Sequence, residues 1–136
     1  MTLWKNAVIF YLGGALYMGI ELLWRGWSHG SMFLMGGMCF LLIGSLDQHY
    51  PAMPVLTQML LGTLIIVSAE LYGGLVMNCW LGWAVWDYSP MPLHVMGQIC
   101  LPFALLWFPV SGIAILADDW LRSRLFGDPT PEYRWI

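Results

Sequence analysis

The run from Met53 to Asn78 carries a single charged side chain, Glu70, and holds no polar stretch long enough to form a loop. A helix of about 20 mostly apolar residues crosses a hydrocarbon core, because in lipid each backbone amide and carbonyl must be satisfied inside its own segment. Three more runs approach that length: Ala7 to Trp24, Ser31 to Leu46, which is the shortest, and Pro92 to Ala117. The four runs predict an all-α polytopic membrane protein, a four-helix transmembrane bundle forming one domain over residues 1–126, with an irregular tail over 127–136. Composition agrees, since 10% of the residues are charged against about 25% in a soluble domain.

Loop charges set the expected orientation. Lys5, Arg122, Arg124 and Arg134 share one side and Arg25 stands alone on the other, so the positive-inside rule predicts a multi-pass protein of the cell membrane with both termini cytoplasmic. The first run resembles a signal peptide in its basic flank, but no A-x-A-like site follows it, and it is expected to stay as a helix. After Ala117, DDWLRSRLFGD reads as an amphipathic helical end at the inner interface, with Asp118 four residues before Arg122. The connection CWLGWAVWDYSPMP carries Trp80, Trp83, Trp86 and Tyr88, which suit the headgroup layer of the outer face. A net charge of -3 with no basic cluster excludes nucleic acid as a partner. Cys39, Cys79 and Cys100 form no CxxC pair and read as small hydrophobes, and no cofactor is implied.

With this topology Glu21, Arg25, His29, Glu70, Asn78, Asp87, His94 and Gln98 all fall toward one face of the membrane. Glu70, Gly73, Gly74 and Met77 share a helix face, and His94, Gly97, Gln98 and Leu101 are expected to share one on the fourth helix. The glycines would let the two faces approach closely. Each polar residue has a plainer alternative. Glu21 and Arg25 can be a structural i,i+4 pair or can face a ligand. Asn78 and Gln98 suit interhelical hydrogen bonds, and Asp87 suits a cap on the YSP turn. His29 and His94 lack the spacing of a metal pair, and His49 reads as a solvated loop residue. Glu70 has no cation near it in sequence, and an ionisable group within a span points to function.

The segments IELLWRGWSHGSM (20–32), GGMCFLLIG (36–44) and WLGWAVWDYSPMPLHVMGQICLPFALLWF (80–108) resemble the CmpB-like family of ABC-transporter type IV membrane proteins, over roughly residues 7–126. The resemblance implies a small multi-span inner-membrane protein. It also implies Glu21, Arg25, Ser28, His29, Glu70, Asn78, Trp86, Asp87, Tyr88 and Gln98 as the characteristic polar and aromatic positions. No GxxxxGK[ST] phosphate loop occurs in these residues, so ATP hydrolysis would fall to another chain.

Three functions compete. The first is a transport or solute-binding protein with an outward-facing polar cavity for a small polar or cationic solute, bound by Glu21, Arg25, His29, Glu70, Asn78, Trp86, Asp87, Tyr88, His94 and Gln98. The second is a non-catalytic assembly subunit, as a homo-oligomer or with a partner membrane subunit. An enzyme with Glu70 or Asp87 as general base ranks last, because no nucleophile-base spacing is present.

Overall fold

A computed structural model describes residues 3–26, 29–50, 52–129 and 133, with the backbone alone at 47 and 48. Ser28 and Arg134 therefore lie outside the described residues. Helix α1 (Leu3–Arg25) packs against α2 (Gly30–His49). Their contact is backbone-close: a β-carbon at Gly14 would fall 2.5 Å from the Phe33 carbonyl oxygen, and one at Gly37 2.6 Å from that of Phe10. Gly13 backs onto Phe40 and Gly36 onto Tyr17. Helices in lipid gain no hydrophobic drive toward each other, so close packing of this kind holds them together.

Helix α3 (Val55–Gly74) continues directly into a π-helical turn, Leu75–Trp80, and packs against α4 (Leu101–Phe126). Gln58, Gly62, Ile66, Glu70 and Gly74 are buried along one face of α3, and Ser111, Ile115, Asp118 and Arg122 along one face of α4. These periods of three and four residues are those of a single helix face. Ile43, Ile66 and Ile115 form the central core, and Met32, Met77, Val85 and Trp86 a second one at the end that carries the 75–100 connection. Lys5 pairs with Asp128 at 3.0 Å, so the start of α1 and the end of α4 meet at the opposite, terminal end.

Among the described residues three helices are long and apolar enough to cross a membrane, and the apolar part of α2, Gly30–Leu46, is shorter. Leu23, Leu105 and Ile113 are among many large apolar side chains exposed on the outside. A surface of that kind is stable against lipid and not against water. The chain is a multi-pass membrane protein.

Two expected boundaries shift, and one expected face is reversed. The fourth helix begins at Leu101, not Pro92, because residues 81–100 form an ordered connection ending in a hairpin of β1 (His94–Val95) and β2 (Ile99–Cys100). Leu93, Met96 and Gly97 have φ of 53°, 56° and 72°, which no right-handed helix contains. Pro102 occupies the first turn of α4, where a missing amide leaves nothing unpaired. His94 and Gln98 therefore lie on the hairpin, not on a helix face. Helix α2 runs on through His49, whose Nδ1 lies 3.0 Å from the Ser45 carbonyl, so His49 is helical although exposed. The last turns before Gly127 are helical as expected but bury their polar side: Asp118, Asp119 and Arg122 are at most 5% exposed while Trp120 faces outward.

Replacing Gly14 by Val should cost about 1–3 kcal/mol through overpacking, read as a lowered melting midpoint in detergent. Gly19→Val, at a helical glycine with open space around it, should leave the midpoint nearly unchanged.

Candidate functional site

The 75–100 connection is tied down by one amide side chain. Asn78 Oδ1 accepts the Val85 and Trp86 backbone N–H groups at 2.6 and 3.3 Å. Its Nδ2 donates to Gln98 Oε1 at 2.8 Å. The π-helical turn re-aims Asn78 into this position; such turns are frequent at functional sites. Trp86 Nε1 donates to the Gln98 carbonyl at 3.0 Å, and Gln98 Nε2 donates to the Met96 carbonyl at 2.9 Å and to Cys79 Sγ at 3.4 Å. Gly74 makes room, since a β-carbon there would run into Gln98 and Trp86. The expected close approach to α3 thus occurs, but a hairpin makes it instead of a helix.

Tyr88 lies beyond this clasp. Its hydroxyl donates to Glu70 Oε2 at 2.9 Å, and Trp107 Nε1 donates to Glu70 Oε1 at 2.7 Å. The Tyr88 ring stacks on Phe103 with centroids 5.1 Å apart. Burial and the neighbouring Glu70 carboxylate raise the Tyr88 phenol above its ordinary range, so it remains a protonated donor. Arg25 Nε donates to Glu21 Oε2 at 2.6 Å and its Nη1 to the Val85 carbonyl at 3.0 Å.

His29, His94 and Asp87 stand apart from these bonds. His29 caps α2, accepting the Ser31 N–H at 3.1 Å, with its ring 5.3 Å from that of Trp83. His94 is exposed on the hairpin, where Nδ1 accepts the Gly97 N–H at 3.1 Å. Asp87 is exposed and accepts the Ser89 hydroxyl and N–H at 2.5 and 2.9 Å. Those two bonds hold its carboxyl below the usual carboxylate range, so the turn is intact at neutral pH and weakens only as pH falls through that lowered value. Among the described residues no group of three His, Cys, Asp or Glu side chains could hold a metal.

A crevice of about 190 Å³ runs between α1 and α4, floored by α2 and α3. Leu16, Ile20, Phe40, Ile66 and Ile113 are among its walls, and Glu70 lies on its lining. The polar lining expected from sequence is not there: Asn78, Gln98, Trp86, Glu21 and Arg25 bond among themselves and the connection backbone, and none of them lines this space. Sequence reasoning missed Trp107, which reaches Glu70 from α4 and leaves no local spacing to detect. It also missed the burial of Asp118 and Arg122. Their alignment with Ser111 and Ile115 was the readable signal.

Asn78→Ala would strand the Val85 and Trp86 amides at about 1–3 kcal/mol each. Limited proteolysis should then cut within residues 81–100 markedly faster than in the wild type, with α1–α2 still resistant; equal cutting rates would refute the clasp.

No curated protein and no solved structure matches the chain. The family described as "Putative ABC-transporter type IV" matches residues 9–129, nearly the whole sequence, and the chain belongs to this CmpB family of transporter-type membrane proteins.

Proposed function

We propose that this is a small transport or solute-binding protein of the cell membrane, whose solute is a cation with an apolar body lying in the α1/α4 crevice with its charge at Glu70. One observation carries this reading. Among the described residues Glu70 is the only carboxylate on the crevice lining, and it accepts bonds from two neutral donors, a phenol and an indole. A carboxylate in such surroundings attracts a cation strongly, because little solvent screens it. The apolar walls select for an apolar body. Lys5 and the arginines near the end of α4 put both termini in the cytoplasm, so Glu70 lies in the outer half of the bundle.

The second reading is an assembly subunit. It draws on the absence of a phosphate loop: Lys5 is the sole lysine in the sequence, so any ATP-driven role needs a separate ATPase chain. In this reading the Asn78 and Glu70 bonds fix the register of the helices, and the protein works as a homo-oligomer or beside a partner membrane subunit.

Native mass spectrometry of the gently extracted protein, with tetraphenylphosphonium as the probe, separates the two. The wild type should bind the probe, and Glu70→Gln should weaken binding about tenfold or more, or about 1.4 kcal/mol, with little change in melting midpoint. Equal affinity in a folded Glu70→Gln protein overturns the solute reading. A stoichiometric partner chain unaffected by the substitution moves the assignment to the assembly subunit.

A further inference from the structure

Glu70 is the outermost member of a file of buried polar side chains that continues toward the terminal end along the α3/α4 seam. Two turns along α3, about 12 Å at the helical rise, a β-carbon at Gly62 would fall 2.9 Å from Ser111 Oγ. Ser111 is thus aimed from α4 into the seam, and it is 0% exposed. Gln58, 2% exposed, follows one turn further on the same face of α3. Asp118, 0% exposed, lies about 10 Å past Ser111 along α4. There Arg122 Nε lies 3.2 Å from both Asp118 oxygens, and Arg122 Nη2 donates to Asn6 Oδ1 at 3.4 Å, which leads to the terminal end.

Two atoms in the middle of this file are out of keeping with a structural role. Ser111 Oγ and Gln58 Oε1 are buried and make no hydrogen bond among the described residues. A buried hydroxyl or amide oxygen without a protein partner costs about 1–3 kcal/mol, and such atoms are ordinarily satisfied by buried water. An alanine in place of Ser111 would fill the same seam without that cost, and Gln58 leaves its oxygen unpaired although its Nε2 donates to the Met53 carbonyl at 3.0 Å. Oxygens one to two turns apart between two carboxylates, with water spanning the longer gaps, are the arrangement of a proton relay.

We propose that the α3/α4 seam conducts protons, with Glu70 and Asp118 as the terminal carboxyl groups and water held at Ser111 Oγ and Gln58 Oε1 between them. A proton leaves the Glu70 carboxyl for the first water, each water passes one on, and the Asp118 carboxylate accepts the last; the reverse sequence restores the start. The step moves a proton alone and needs no redox partner. The membrane voltage or a pH difference drives it. The groups that face Glu70 are Tyr17 and Glu21 from α1, Cys39 from α2 and Tyr88 from the connection. Those that face Asp118 are Arg122 and Asp119 of α4. The relay goes beyond the solute reading, since Ser111 and Gln58 do not line the crevice.

The test uses the full chain in liposomes loaded with a pH-sensitive dye, with a potassium diffusion potential set by valinomycin. The wild type should take up protons faster than protein-free liposomes. Ser111→Ala and Gln58→Met should each cut the protein-dependent rate about tenfold or more. Ser111→Ala removes an oxygen that bonds nothing among the described residues, so its melting midpoint should be unchanged or raised. Gln58→Met also gives up the 3.0 Å bond from Gln58 Nε2 to the Met53 carbonyl, so its midpoint should fall slightly, and the tetraphenylphosphonium affinity of both should match the wild type. Wild-type uptake at the protein-free rate, or wild-type rates in both folded variants, overturns the relay. Loss of cation binding in Glu70→Gln with wild-type proton flux in Ser111→Ala would leave the solute reading standing and remove this one.

Discussion

The two backbone amides that Asn78 Oδ1 accepts are the pivot of this molecule. A connection at the edge of a membrane cannot rely on bulk water for its amides, and residues 81–100 offer only a two-residue hairpin of regular structure. Asn78 supplies the missing acceptor for Val85 and Trp86, and from those two residues the rest follows. The Val85 carbonyl is where Arg25 of α1 docks, and the Trp86 indole is where the hairpin docks through Gln98. Tyr88, two residues on, can then reach Glu70 from above while Trp107 reaches it from the side. A single neutral amide thereby sets the surroundings of the carboxylate on the crevice lining.

Charge is distributed between two ends with different logic. At the connection end Glu21 has the cation Arg25 as its partner, and Glu70 has neutral donors. At the terminal end Asp118 has Arg122, Asp119 has Tyr133, and Lys5 has Asp128. Buried ion pairs often contribute little net stability, because desolvation offsets their attraction, yet breaking one is costly. Their effect is on register: Asp118 lies against Gly44, where a β-carbon would run into its carboxylate, so α4 can seat against α2 at one height. The glycine contacts of α1 with α2 do the same for the other half of the bundle.

The membrane class and the four helices were legible because lipid imposes a length and a composition that an isolated sequence displays. Gathering Glu21, Arg25, Glu70, Asn78 and Gln98 at one end needed only the order of the spans. What sequence could not display was conformation without period. Leu93 and Met96 take positive φ although neither residue favours it, so Pro92 to Cys100 reads as apolar helix until the backbone is seen. Contacts such as Tyr88 with Glu70 and Trp107 with Glu70 join different elements, and the expectation of a polar cavity failed at that step. The side chains assigned to a lining had already found each other. The sequence held one neglected signal, the stripe from Ser111 to Arg122, which an interfacial reading of the final turns obscured.

The crevice between α1 and α4 has walls, Leu16, Ile20 and Ile113, that are themselves on the exposed surface of the bundle. A molecule reaching Glu70 by that mouth therefore travels sideways, within the bilayer. Its effective supply is its concentration in lipid, which exceeds that in water by its partition coefficient, and its search is two-dimensional. Discrimination then begins before any contact with the protein: whatever does not dissolve in the membrane is filtered out by the membrane itself.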